Sequence, residues 1–328
     1  MVKVVILGAA GFLGRRLATL LDKSDIAGQE VTQLHLVDVA EPDFAVATPA
    51  TRAAVDLGDA SAMAVAIPDD ADVVFHLAAV VSSQAEEDFD LGMRANLLGV
   101  MHVLERCRTL AAARSAPPVL VFTSSVAIYG AVADLAPGQP VPESQAPVPA
   151  SSYGAQKAIG ELLVHDYSRK GFVDGRVCRL PTVSVRPGRP NRAASSFASG
   201  IIREPMSGET AVCPVTPETA IWVSSPHVAV RNLAHAAGLT SAALGGGRAF
   251  SLPGISVTAG EMVACLERVA GAEAAGRVAW EPDAEIQRIV GSWPAALDCA
   301  RAVRAGFAQD ASFEDCVREF KRELDASR

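Results

Sequence analysis

The sequence is short of lysine and tyrosine. Only five of its 29 basic residues are lysines, and only three of 328 residues are tyrosines. Basic residues are outnumbered by 37 acidic ones, for a formal charge of −8. That sign excludes charge-driven binding to nucleic acid or to an anionic membrane surface. No apolar run reaches the roughly 20 residues that a membrane-spanning helix needs. Residues 1–7 pass from one lysine into a strand-like run without a cleavable leader pattern. The six cysteines, at 107, 178, 213, 265, 299 and 316, include no C-x-x-C pair. A chain of this size has no need of covalent staples, so they read as buried reduced thiols of a cytoplasmic protein. No cluster of His, Cys and Asp has metal-ligand spacing, so no metal is expected. Half of the residues are apolar and a fifth are charged, the reverse of a disordered composition.

What the sequence does have is alternation. Apolar, β-branched runs at 2–7, 33–37, 53–56, 73–76, 119–123 and 176–180 are separated by helical patterns at 12–21, 60–66, 95–113 and 152–170. Strands buried on both faces, interleaved with helices, indicate an α/β fold with a doubly wound parallel sheet of the Rossmann type. Composition shifts after Leu180, where a stiff basic loop (186–192, RPGRPNR) and later a glycine break (245–247) precede a largely helical tail. The expected organisation is a dinucleotide-binding domain at 1–180, to which part of 212–252 returns. A smaller, mostly helical substrate-binding domain follows at 181–328. The proline-rich stretch 137–149 has the length of a functional loop.

The first strand runs into Gly8-Ala9-Ala10-Gly11-Phe12-Leu13-Gly14. One glycine permits the turn, a second lets the backbone approach a pyrophosphate, and a third lets the helix pack on the sheet. The helix N-terminus then stabilises the negative charge. Glycine turns without a ligand also occur, but a strand before and an amphipathic helix after are the confirming context. The second strand ends in Asp38, where a carboxylate accepts the ribose hydroxyls of NAD and repels the 2′-phosphate of NADP. Val39 follows, so no arginine awaits that phosphate. An aspartate in this place also serves as a loop residue or helix N-cap.

Residues 119–130 (VLVFTSSVAIYG) deliver Ser124, Ser125 and Tyr129 from a buried strand, and Ser151-Ser152-Tyr153-Gly154-Ala155-Gln156-Lys157 follows. On a helix, Tyr153 and Lys157 share a face. An ammonium beside a phenol lowers its pKa, so that the phenol can take a proton from a substrate hydroxyl as hydride leaves the carbon. Ser125 would steady the developing carbonyl. With so few tyrosines and lysines, a chance Y-x-x-x-K is expected in only about one such chain in twenty.

Gly8, Gly11 and Gly14, Asp38, Asp56-Leu57, His76-Leu77-Ala78-Ala79, Asn96, Thr123-Ser124-Ser125, Tyr153 and Lys157 together resemble the extended short-chain dehydrogenase/reductase superfamily, whose members include nucleotide-sugar epimerases and dehydratases. The resemblance implies NAD as cofactor, Asp56 and Leu57 at the adenine, and Leu77, Ala78 and Ala79 along the cofactor. Phe12, Leu13, Thr123 and Pro181 belong to the same cofactor surface, and Asn96 supports the site from its helix. The resemblance gives catalysis to Ser125, Tyr153 and Lys157. Taken alone, Asp56 and Asn96 read equally as a turn residue and a helix-surface residue.

The sugar-nucleotide branches usually carry R-x-x-N-V-Y-G-P and V-D-D-V-A patterns. Here Arg179-Leu180-Pro181-Thr182-Val183-Ser184-Val185-Arg186-Pro187 and Ser225-Pro226-His227-Val228-Ala229 stand instead. Together with HLAAVVS, SSYGAQKAIGELL and RLPTVSVRPGRPN, these departures resemble a subgroup that uses NAD to oxidise the 2-hydroxyl of a four-carbon sugar acid. Such a substrate needs a cation for its carboxylate and polar groups for its hydroxyls. Arg186, Arg189 and Arg192 offer the cation, each of them equally able to be solvated or paired elsewhere. Ser82, Ser83, Thr182, Asn191, Ser195, Ser196 and His227 offer polar groups, with Ser125 and Tyr153 at the reacting oxygen. The rival readings are a sugar-nucleotide epimerase or dehydratase that reoxidises its NAD, and a non-catalytic NAD sensor. The resemblance also implies a homodimer through the helices at 95–108 and 152–170, whose apolar faces serve equally to cover their own sheet.

Overall fold

The computed structural model describes residues 1–131, 139–188, 190, 193–245 and 247–326. Seven strands, β1 (Val2–Leu7), β2 (Gln29–Asp38), β3 (Ala50–Ala54), β4 (Val73–His76), β5 (Val119–Ser125), β6 (Asp174–Leu180) and β7 (Ala249–Ser251), form one parallel sheet. Their order is β3-β2-β1-β4-β5-β6-β7. The short strand Asp25–Ile26 folds back antiparallel on β2. Leu7 stands beside both Val37 and His76, so the ends of β1, β2 and β4 lie level. Chain direction around β1 diverges there, β2 to one side and β4 to the other, which opens a crevice at the carboxyl edge.

Side chains alternate between the two covered faces. Val4 and Ile6 enter the layer made with α1 (Phe12–Leu21) and with the helix Pro226–Gly238. Val5 and Leu7 enter the opposite layer with α2 (Gly99–Ala113) and α3 (Ser152–Arg169). Each such side chain contributes about 1.5–3 kcal/mol when fully buried. The sequence reading placed β1, β4 and α1 at their observed limits, while β2 begins earlier because its first residues make the turn-back pair with Asp25–Ile26. A π-helical stretch, Met93–Leu98, leads into α2, and short helices Ser82–Glu87 and Phe89–Gly92 precede it.

Past β6 a second apolar cluster forms under α4 (Phe197–Met206), α5 (Ala259–Ala270), α6 (Ala284–Gly291) and α7 (Phe313–Ala326), with Ile201, Met262, Leu266 and Phe320 at its centre. This part holds two small sheets beside its helices. Ala220–Ser224 lies between Thr182–Val183 and Ile255–Thr258, and Ala211–Cys213 pairs with Val278–Trp280. Strands this short leave no visible alternation in the sequence. Buried charges lock the parts together. Arg179 of β6 forks onto Glu161 of α3 at 2.7 and 3.0 Å and donates to the Tyr129 hydroxyl at 2.6 Å. Tyr129, fully buried, also meets the Ser251 hydroxyl of β7, so it serves as a structural tie. All six cysteines are free thiols, five of them buried. Among the described residues no helix is long and apolar enough to cross a membrane.

Candidate active site

The crevice holds a cavity of about 340 Å³ whose lining runs from the glycine turn to the serine strand, Tyr153 and Arg186. The glycines are required for different reasons. Gly8 has φ +92°, and a Cβ there would lie 2.6 Å from the amide nitrogen of Ala78. A Cβ on Gly14 would lie 2.1 Å from the Gly8 carbonyl oxygen. Gly8 therefore lets the strip after β4 pack against the turn, and Gly14 seats α1 on the end of β1. Gly11 is exposed, and a Cβ there would approach only the Gly8 oxygen, at 3.2 Å. The chain's own packing constrains this position less than Gly8 or Gly14, and the exposed surface suits a ligand drawn close to the backbone. Gly11 is also the N-cap of α1, and no side chain caps the helix. Its first-turn amides, at Phe12, Leu13 and Gly14, meet the cavity in the manner of an anion site.

Asp38 sits beside this turn. One carboxylate oxygen accepts from the Ala10 amide at 2.9 Å and the other from Val39 at 2.7 Å. Two bonds leave acceptor capacity on a carboxylate, which offers about four lone-pair sites. Leu77 and Ala79 line the cavity, and Ala78 lies beneath Gly8 with its amide donating to the Leu7 carbonyl. Asp56 pairs with Arg94 at 3.0 Å and accepts from Gly58. Leu57 is buried in the core beneath α2. Asp56, Leu57, Asp38, Ala78 and Asn96 stand outside the cavity lining itself. The residues present fit a bound dinucleotide: a backbone cradle at the turn, an acidic acceptor at the end of β2, and an apolar strip after β4.

Asn96 lies in the π-helical stretch and is almost completely buried. Its amide both accepts from the Val80 N–H (2.8 Å) and donates to the Val80 carbonyl (3.0 Å), and it donates to Gln156 at 2.8 Å. It thus clamps the strip after β4 to the helix carrying Tyr153. The Thr123 hydroxyl donates to the His76 carbonyl at 3.0 Å. Burial pushes His76 down to about 3, so it stays neutral and carries no proton near neutral pH.

Ser151 caps α3, accepting from the Gly154 amide at 3.2 Å, and so fixes the turn that bears Tyr153. The Ser125 hydroxyl lies beside the Tyr153 phenol and, with the charge of the Arg186 guanidinium, acts to lower its pKa. Burial outweighs both and pushes Tyr153 up to about 12. Lys157 donates to the Thr123 carbonyl at 2.8 Å, with Nζ 5.7 Å from the centre of the Tyr153 ring. Burial pushes it down to about 7. In the chain by itself, then, Arg186 rather than Lys157 is the cation that lowers the phenol's pKa.

Ser82, Thr182, Pro181 and Ser195 line the cavity, and Ser82 also accepts from the Ala194 amide. Ser83 faces a separate surface groove with Ser196. His227 is exposed on its helix, next to the charge of Glu319, away from the cavity lining. Arg189, Asn191 and Arg192 lie outside the described residues. Sequence reasoning did not pick out Val81, Val183, Ala193 or Trp293, all of which line the cavity. Trp293 in particular comes from a distant part of the chain, with no motif to mark it.

Residues 4–241 match the NAD dependent epimerase/dehydratase family. Over 322 residues the chain is 52% identical to a D-erythronate dehydrogenase of Cupriavidus necator, covering 97% of each. It is 43% identical over 321 residues to a D-erythronate dehydrogenase of Haemophilus influenzae, covering 97% of this chain and 98% of that one. Among solved structures, a nucleoside-diphosphate-sugar epimerase from Agrobacterium tumefaciens superposes with a TM-score of 0.88 at 40% identity, covering 96% of this chain and 92% of that one.

The Lys157 environment has a measurable consequence for stability. Its pKa falls from the ordinary 10.5 to about 7 on folding, so between those values the unfolded chain holds a proton that the folded chain lacks. The site's contribution to stability therefore rises with pH across that window. In urea titrations from pH 7 to pH 9, the wild-type midpoint is expected to climb relative to that of Lys157→Met. Parallel pH dependences would contradict this placement of the lysine.

Proposed function

The chain belongs to the NAD dependent epimerase/dehydratase family, and from that premise we propose that it oxidises the 2-hydroxyl of D-erythronate to 2-oxo-D-erythronate with NAD. The reading is carried by Arg186. Its guanidinium lines the cavity and has no hydrogen bond or ion pair among the described residues. Its backbone is pinned on both sides, the amide donating to the Ser199 hydroxyl and the carbonyl accepting from Arg203. Arg179 and Arg203, by contrast, are each paired with a glutamate. An enclosed cation without a counter-charge is costly unless an anion completes it, and burial already lowers the Arg186 pKa to about 10. A small sugar acid supplies such an anion. Two relatives that share 43–52% of their residues with this chain over nearly its whole length bear the name D-erythronate dehydrogenase.

When bound, NAD supplies the acceptor for the hydride that leaves C2. The carboxylate of Asp38 favours NAD over NADP, since its charge repels a 2′-phosphate. Arg186 grips the substrate carboxylate and thereby aims the adjacent C2 hydroxyl at Tyr153 and Ser125. Ser125 hydrogen-bonds the hydroxyl oxygen as it becomes a carbonyl. Tyr153 Oη receives the hydroxyl proton, and Lys157 holds its position through the Thr123 carbonyl. Ser82, Thr182 and Ser195 offer partners to the remaining hydroxyls. A phenol near 12 in the free chain is mostly protonated at neutral pH, so oxidation should accelerate as pH rises.

The second reading is a sugar-nucleotide epimerase, favoured by the name of the 40% identical solved structure. D-erythronate and NAD should yield one NADH per acid oxidised, followed at the NADH absorbance band. Interconversion of a sugar nucleotide with no net NADH would select the second reading instead. Tyr153→Phe is expected to lose about 10²–10⁴-fold in kcat while still binding NADH. Arg186→Met should raise KM for the acid roughly 30-fold or more, as expected for a lost charge-assisted contact. Retention of most activity by either variant would contradict the assigned roles.

The dimer expectation is also carried forward as a proposal. Leu98 and Met101 at the start of α2, and Ile159 and Leu162 on α3, are between 41% and 70% exposed, an apolar stripe on each of two adjacent helices. A second copy of the chain is inferred to cover them. Leu162→Glu is then expected to convert a sedimenting dimer into a monomer, and a monomeric wild-type protein would refute the interface.

A further inference from the structure

The wall of the cavity on the side of the C-terminal helices is made by Arg186, Ala193, Ser195 and Trp293. Arg186 supplies charge, while Ala193 and Ser195 are small. Trp293 alone among the four has the bulk to limit what the cavity holds. It is half-buried, packing against the apolar cluster under α6. Its indole N–H has no hydrogen-bond partner among the described residues, whereas that of Trp222 donates to the Leu252 carbonyl. Buried tryptophans usually satisfy this donor; Trp293 is half-buried and lines the cavity, so its donor remains available to a hydroxyl.

The placement of this ring is fixed from both sides. The Trp293 amide donates to the Val290 carbonyl at the end of α6, and Val290 is wholly buried. Four residues further on, Leu297 bridges to Val141, with Val141 donating to the Ala296 carbonyl and Asp298 donating to the Val141 carbonyl, both at 2.9 Å. Leu297 and Val141 pack with Val126, Ile128 and Tyr129, the residues immediately after Ser125. The indole packs on the apolar cluster under α6, and the chain just beyond it is tied at Leu297 to the small cluster that backs the Ser125 strand end. Such a wall discriminates by shape, because it cannot swing aside without disturbing the packing beneath it.

We propose that Trp293 is a specificity-determining residue that sets the upper chain length of the acid accepted at this site. The proposal rests on the sugar-acid reading above. A four-carbon acid held at Arg186 reaches the indole with its terminal hydroxyl, and each further hydroxymethylene meets the ring. Misfit of one carbon unit in a rigid pocket is worth about 10–200-fold in kcat/KM.

The test compares D-aldonates of four, five and six carbons, matched in configuration at C2, with the wild-type enzyme, Trp293→Ala and Trp293→Phe. NADH formation is the readout. Trp293→Ala is expected to raise the five-to-four-carbon ratio of kcat/KM at least 10-fold, with an absolute gain on the five-carbon acid. Trp293→Phe keeps a wall and should hold the ratio within about threefold of wild type. Thermal melting and NADH binding verify that the variants are folded, and Trp293→Leu replaces the alanine variant if that one is not. An unchanged ratio, or a parallel loss on all acids, would overturn the proposal while leaving the sugar-acid reading intact. A wild-type enzyme that forms no NADH from any aldonate would overturn both.

Discussion

The proposed site is organised by a cavity-lining cation that has no counter-charge among the described residues. Arg186 cannot be stabilised by the described residues around its guanidinium, and Arg203 nearby repels it further. Its backbone is nevertheless held by Ser199 and Arg203, so it cannot relax toward solvent by moving the chain. On the proposed reading, an anion bound there relieves an existing electrostatic penalty, and the substrate carboxylate is the group fixed first. That reading gives the hydroxyl on the adjacent carbon to Ser125 and Tyr153. Stability is sacrificed locally for this geometry, as is common where a site is prepared for a ligand.

The sheet makes that arrangement possible by bringing three distant parts of the chain to one edge. The glycine turn follows β1, Ser125 ends β5, and Arg186 comes just past β6. The Asn96–Gln156 contact links the strip after β4 to α3, and the Arg179–Glu161 fork links β6 to the same helix. Tyr153 and Lys157 therefore ride on an element held from both sides. The preorganisation comes from buried polar contacts that are in place before any ligand arrives.

Much of this was legible in the sequence because its signals are local. The turn at residues 8–14 reads directly, since Gly14 answers to the Gly8 carbonyl six residues away and Gly8 to its own positive φ, although the close approach of Ala78 to Gly8 is tertiary. The Tyr153–Lys157 spacing likewise needs only a helix. What could not be read depends on tertiary surroundings. Sequence spacing suggested that Lys157 tunes the phenol, yet burial acts on both groups and leaves Arg186 as the facing charge. His227 sat in a promising pattern but is exposed on its helix, outside the cavity lining. Trp293 lies 140 residues from Tyr153, and tertiary packing on the cluster under α6 brings it to the cavity. The polar helices at Ser82–Glu87 and Phe89–Gly92 lack a helical apolar stripe long enough to be recognised.

The central claim is that recognition of a carboxylate by an otherwise unpaired Arg186 directs the chemistry. It is tested most directly by comparing D-erythronate with its uncharged amide, D-erythronamide, as hydride donors for the wild-type enzyme and NAD. The two keep the same carbon chain and the same C2 hydroxyl, so only the charge differs. The account requires kcat/KM for the amide to fall at least about 100-fold, because the cavity-lining guanidinium is then left with a neutral partner. Comparable values for the acid and the amide would contradict it.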